Sequence, residues 1–178
     1  MSSEPELMSR ICNGDTTALS ELYDLYGSRV YSLAAAILSD DMSAQEVTQD
    51  TFMKVWQNAR QYRHDEGRFG SWLLTITRRL AIDRLRHEYR RSGKSTSMDD
   101  DTFPEIRDTS QDDDARWREL RYMMDELPVE QREIILLSYY RGMSQSEIAS
   151  HLDIPIGTVK TRLRLGMEKL RLVFARQQ

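Results

Sequence analysis

The 178-residue sequence predicts an all-α fold made of two small helical domains joined by a flexible acidic linker. Apolar residues recur at three- and four-residue steps in segment after segment, and no segment alternates at period two. Between two such regions, residues 92–115 lack any apolar period and set eight acidic residues against two basic ones, a net charge of −6. The expected division is therefore a first domain over 1–91, a linker over 92–115 and a second domain over 116–178.

In the first region, residues 6–13 can form a short helix, and Asp15 or Thr16 can cap the next. Leu19, Leu22, Tyr23, Tyr26, Val30, Leu33, Ala34 and Ile37 then form one face of a long amphipathic helix. Ser39-Asp40-Asp41 breaks it. Ser43 to Glu46 has the form of a capping box and should open a helix carrying the stripes Val47–Thr51–Val55 and Phe52–Trp56–Ala59. Residues 61–70 are polar, contain Gly67 and Gly70, and read as a loop. Ser71 can cap the helix that follows. Its first half, Trp72 to Ile76, is apolar nearly all round. Its second half places Arg79, Arg86 and Arg90 at i, i+7 and i+11, on one stripe.

Beyond the linker, Trp117, Leu120, Met124 and Leu127 restore a helical step. Pro128 suits the first turn of a helix with Ile134, Leu137 and Tyr140, which should stop at Gly142. Ser144 to Glu147 is a second capping box, opening a short helix through Leu152. Asp153-Ile154-Pro155 makes a turn, and residues 156–176 a last helix.

Composition excludes several classes. The longest nearly uncharged stretch, 30–39, is about half of what a bilayer span needs. The acidic N-terminus does not have the form of a secretory leader. The single Cys12 rules out an internal disulfide and a multi-cysteine metal site, and the three histidines lack ligand spacing. The expectation is a soluble, cytoplasmic protein with no metal or cofactor. The net charge of −4 argues against nucleic acid only as an average. Residues 155–178 carry six basic residues against one acidic, and residues 76–91 carry six arginines against two acids. Two basic segments flank one acidic segment.

The strongest local signal, Gln145 to Arg164, has helix-turn-helix spacing. Ala149 is small where two helices cross. Ile148, Leu152, Ile154 and Val159 sit where the packing must be apolar, and Asp153 tolerates the left-handed backbone of the turn. Thr158, Lys160, Thr161, Arg162 and Arg164 remain to face a major groove. The plainer alternative is a helical hairpin with a solvated basic face. The arginine stripe Arg79, Arg86 and Arg90, with Tyr62, His64 and Phe69 in the preceding loop, suits a single strand, through cations for phosphate and rings for bases. Trp72 reads better as core. Glu46 and Asp50, at i and i+4, project from one helix face. No accompanying motif makes them metal ligands or an acid/base pair, which leaves an ordinary solvated helix face or a polar strip beside Phe52 and Trp56 on which another protein docks.

Several stretches occur in a telling order: Glu46-Val47-Thr48-Gln49-Asp50-Thr51-Phe52, then Trp72 to Arg86, then Leu127-Pro128-Val129-Glu130-Gln131-Arg132-Glu133, then Ser146-Glu147-Ile148-Ala149, then Gly157 to Leu163. In them the chain resembles the extracytoplasmic-function (ECF) sigma factors, small members of the sigma-70 family, from about Leu7 to Leu172. The resemblance implies a non-enzymatic subunit that binds core RNA polymerase and directs promoter-specific initiation. Residues 19–91 would be region 2 and residues 116–178 region 4, with no region 3 and no inhibitory N-terminal domain. Glu46, Gln49, Asp50, Phe52, Met53 and Trp56 would dock on the coiled coil of the β′ clamp. The 61–70 loop and the next helix would open the −10 element. The helix-turn-helix would read the −35 duplex while the apolar side of region 4 grips the β flap. An anti-sigma factor is the expected restraining partner.

The linker fits this geometry. Elements about 20–25 base pairs apart span roughly 70–85 Å of duplex, and a 24-residue tether extends to about 80 Å. Many relatives carry Arg-Asn where this chain has Arg78-Arg79, so their −10 base preference does not transfer. The competing class is a stand-alone helix-turn-helix regulator, which would bind duplex without polymerase and commonly as a dimer.

Overall fold

The computed structural model describes residues 3–63, 65, 67–91 and 122–175. His64, Trp117, Leu120 and the acidic linker lie outside the described residues. The described residues contain helices and no strand. The chain divides into two compact units, Met1–Ser110 and Gln111–Gln178.

The first unit is a bundle of four helices: α1 (Glu4–Cys12), α2 (Thr16–Leu38), α3 (Asp41–Asn58) and α4 (Phe69–Arg91). A 3₁₀ turn, Ala59–Gln61, follows α3. Asp15 caps α2, accepting from the amides of Thr17 and Ala18. Its carboxylate is held below the usual range, chiefly by the Arg10 side chain, which donates at 2.7 Å. Helix α2 ends at Ser39, whose φ of 58° is left-handed. The core gathers Leu7, Met8 and Ile11 of α1, Leu22, Tyr26 and Val30 of α2, Phe52 and Val55 of α3, and Phe69 and Leu73 of α4.

Two helix starts differ from the sequence expectation. Asp40, not Ser43, caps α3: its carboxylate accepts from the Ser43 amide at 2.8 Å. Ser43 is instead buried in the first turn, and its hydroxyl donates to Glu88 of α4 at 3.1 Å. The short-range pattern Ser-x-x-Glu was real, but Asp40 stands three residues before Ser43 and is the better acceptor. Helix α4 begins at Phe69, two residues before Ser71, with the Phe69 ring fully buried. The amides of Ser71 and Trp72 bond the Arg68 carbonyl.

In the second unit, a helical turn over 122–125 precedes α5 (Val129–Tyr140), α6 (Gln145–His151) and α7 (Ile156–Ala175). Arg132 reaches back to accepting carbonyls of Asp125 and Leu127 and pairs with the Asp125 carboxylate at 3.0 Å, tying the turn to α5. Gly142, with φ of 65°, ends the stretch after α5 as expected. Ser144 and Glu147 form the expected capping box at α6. Met123, Leu127, Ile134, Leu137, Ile148 and Val159 are buried. Helix α7 passes α5 so closely at Gly166 that an added Cβ would stand 2.7 Å from the Ile135 δ-methyl and 3.3 Å from Gln131 Cβ.

Candidate nucleic-acid and docking interfaces

Helix-turn-helix geometry follows from three local features. The capping box starts α6 with its polar groups satisfied. Asp153 takes φ of 50° in the turn, the left-handed position expected of it. The Ile154 amide closes on the Ala149 carbonyl at 3.0 Å, and those of Thr158 and Val159 on Pro155. Ile148 and Val159 are fully buried between the helices, and Leu152 and Ile154 half-buried. That packing turns the other side of α7 outward. Lys160, Thr161 and Arg164 are exposed, whereas Thr158 and Arg162 are half-buried. The Thr161 hydroxyl donates to the Gly157 carbonyl, and Arg164 lies 3.4 Å from Glu168. The face is an array of cations and hydroxyls on one helix, suited to phosphate oxygens and base edges.

In the first unit, α3 exposes Met42, Gln45, Glu46, Gln49, Asp50, Met53 and Lys54 along one strip. Trp56 is half-buried at its edge. Phe52 is not part of the exposed strip: it is 4% exposed and packs on the Tyr23 ring at 4.8 Å. It supports the strip from below, since a ring this large contributes more to a small core than to a wet surface. Beside the strip, Tyr23, Gly27, Tyr31, Gln45, Thr48 and Gln49 line a groove of about 590 Å³.

Glu46 is held from behind. Arg84 of α4 contacts it at 2.8 Å and donates to Glu88 at 2.7 Å. With the Ser43–Glu88 bond, this makes a continuous polar network between α3 and α4. Sequence reading did not single out Arg84. Its i,i+4 spacing to Glu88 was visible, but the α3 partner was not.

Helix α4 carries Arg79, Arg86 and Arg90 on its exposed side, as the period required, with Asp83 exposed among them. Phe69 departs from expectation. It is fully buried and presents no ring to a base. Instead it packs edge-on against Tyr26 and Tyr62, at 5.3 and 5.4 Å, as the floor of the loop. Tyr62 and Trp72 are half-buried and 5.3 Å apart, so each keeps one side outward. The Tyr62 hydroxyl donates to the Gly67 carbonyl at 3.3 Å. Burial, and then the nearby Glu4 charge, push its phenol pKa up.

A capped short helix, a left-handed turn and an outward basic helix make this unit a helix-turn-helix. Comparisons narrow the class. The sequence model of Sigma-70 region 2 matches residues 22–91, and that of Sigma-70, region 4 matches residues 117–170. The ECF RNA polymerase sigma factor SigK of Mycolicibacterium vanbaalenii is 34% identical over 170 residues, covering 93% of this chain and 86% of the relative. SigK of Mycobacterium tuberculosis (strain ATCC 25177 / H37Ra) is 31% identical over 169 residues, covering 93% and 90%. This chain belongs to the ECF RNA polymerase sigma factor family. Among solved structures, Rhodobacter sphaeroides SigE in complex with the anti-sigma ChrR is similar at 25% identity, covering 93% of this chain and 94% of that one, with a TM-score of 0.44. No helix among the described residues is long and apolar enough to cross a membrane.

Proposed function

We propose that this chain is a dissociable promoter-specificity subunit that binds core RNA polymerase in the cytoplasm and directs initiation without covalent chemistry of its own. One observation carries the reading: a region 2 match and a region 4 match stand in order in a chain that aligns with SigK over 93% of its length. Residues 1–91 serve core docking and the −10 element, 92–115 the tether, and 116–178 the −35 element. Lys160, Thr161 and Arg164, with Thr158 and Arg162 at the rim, contact the −35 duplex. Their exposure on the outer side of α7 supports this. The exposed Glu46, Gln49, Asp50 and Met53, with Trp56, dock on the β′ clamp coiled coil. Arg79, Arg86 and Arg90 hold the −10 strand phosphates, and Tyr62 takes a displaced base. The apolar side of the second unit meets the β flap.

Opening the −10 element costs about 1–2 kcal/mol per stacking step. Strand contacts by rings and cations offset it, at about 1–3 kcal/mol per stacked base. An anti-sigma factor covers the docking strip in the resting cell. The exposed Met42 and Met53 and the adjoining groove fit such a cover.

Run-off transcription with core enzyme on randomised promoters tests the reading. The expected result is initiation from a bipartite sequence that core enzyme alone ignores. Absence of affinity for core enzyme, or of initiation in its presence, overturns it.

A further inference from the structure

Helix α1 lies outside the stretch matched to region 2, yet it packs against the 3₁₀ turn that leads into the loop. Its first residue, Glu4, accepts a hydrogen bond from the Tyr26 hydroxyl. Tyr26 is 8% exposed, and its ring meets Phe69 nearly edge-on. Phe69 in turn meets Tyr62 at an interplanar angle of 86°. Gly70 also lies beside this ring: a Cβ there would stand in ordinary contact, 3.4 Å from Tyr26 Cε1. Leu7, Met8 and Ile11 anchor the rest of α1 in the same core.

Edge-to-face contacts are directional, so the tilt of one ring constrains the next. The bond to Glu4 anchors the hydroxyl end of Tyr26 and so the direction of the ring's long axis, while Phe69 and Arg29 pack on the ring itself. Burial and the Glu4 carboxylate raise that phenol's pKa well above its ordinary value, which keeps the hydroxyl a donor throughout the neutral range.

We propose that Glu4 and Tyr26 are positioning residues for promoter opening: through Phe69 they set the orientation of the Tyr62 ring, and neither touches nucleic acid. This rests on the reading above that Tyr62 receives a displaced base of the −10 element. It gives α1 a role beyond bulk stability, as the strut beneath the strand-capturing loop.

The test uses holoenzyme reconstituted from core enzyme and the full chain. Opening is read as the fluorescence of 2-aminopurine at an unpaired −10 position. Loss of a charge-assisted hydrogen bond should lower the opening equilibrium about three- to tenfold in Tyr26→Phe and in Glu4→Ala. Glu4→Gln, whose amide oxygen still accepts, should fall less. Affinity for core enzyme and for a −35 duplex should stay within about twofold, because those faces lie on other helices. Since Tyr26 acts through Tyr62, adding Tyr26→Phe to Tyr62→Ala should lower opening no further.

Three results overturn the proposal: normal opening by Tyr26→Phe, an undiminished Tyr26→Phe effect in the Tyr62→Ala background, or core affinity falling in step with opening. If the wild-type holoenzyme opens the promoter but Tyr62→Ala does so equally well, the positioning role fails while the sigma reading stands. Failure of the wild-type chain to open any promoter sinks the reading itself.

Discussion

Replacing Ile148 by alanine should separate duplex reading from core docking. Ile148 is fully buried between α6 and α7. Its amide bonds the Ser144 carbonyl, and its carbonyl accepts from Leu152, so it sits centrally in the short helix that carries the turn. Removing its three outer carbons forfeits about 2.4 kcal/mol of transfer energy at about 0.8 per methylene. A cavity that only partly collapses brings the loss to about 2–5 kcal/mol. A domain of roughly 60 residues has about 3–9 kcal/mol in total. The variant therefore removes about a fifth or more of the second unit's stability and lowers its melting temperature by about 10 °C or more. The first unit has a core of its own from Leu7 to Leu73 and should melt unchanged. Calorimetry should show only the second unit's transition moving. Fluorescence anisotropy should show −35 duplex binding lost near the new midpoint while core affinity, held mainly by the first unit's docking strip, falls much less. Ile148→Val, at about 0.5–1.5 kcal/mol, is the graded control. An unmoved transition with full duplex affinity, or a loss of core binding in step, would refute the reasoning.

Three further outcomes are expected. Lys160→Ala should weaken −35 binding and make the slope of log K against log salt shallower by about 0.9 for one lost phosphate contact; an unchanged slope in an anisotropy series removes Lys160 from the interface. Asp15 has a folded pKa below its ordinary value, so its cap contributes stability above about pH 4 that disappears as pH falls through the folded value. Asp15→Asn should thus shrink the wild-type advantage seen at neutral pH as acid is added, and a pH-independent difference between their melting temperatures counts against the pairing with Arg10. Gly166→Val should destabilise the second unit by about 1–3 kcal/mol, because the new branches meet Ile135 and Gln131; a melting temperature at or above wild type would show that α5 and α7 have room to part.

Much of the fold was legible because local signals agreed with tertiary packing. Asp15, Ser144–Glu147, Gly142 and Asp153 each do locally what their chemistry favours, and the 3.6-residue period placed Ile148, Val159 and the α4 arginine stripe on the correct sides. Misreadings arose where two residues could serve one purpose. Ser43 and Asp40 both suit a cap, and only the α4 side chain Glu88, 45 positions away, gives the Ser43 hydroxyl its partner. The aromatic residues misled for a related reason. Phe52 and Phe69 lie within polar stretches, which suggests exposure, yet each fills the core beneath. Period alone cannot tell a ring that faces a partner from one that faces the next helix. Arg84 and Gly166 were silent because their partners are remote in sequence.

If the first unit works as proposed, it presents two surfaces in fixed relation, a docking strip on α3 and a strand-holding stripe on α4. Apolar contacts between helices tolerate small slides, since one methyl can replace another along a ridge. A guanidinium shared between carboxylates on two helices does not slide so freely, because its planar fork meets each acceptor in one geometry. Arg84 takes Glu46 from the docking helix and Glu88 from its own, and Ser43 returns to Glu88. The network is half-exposed, so its contribution to folding stability is small. Its value lies in register. Arg79, Arg86 and Arg90 are spaced along the same helix as Arg84, and Gln49 and Asp50 lie within one turn of Glu46. An axial shift at Arg84 therefore moves the strand-holding stripe against the docking strip by the same amount. On the proposed reading of the two helices, a polar contact of fixed geometry at that crossing serves the chain better than one more methyl group.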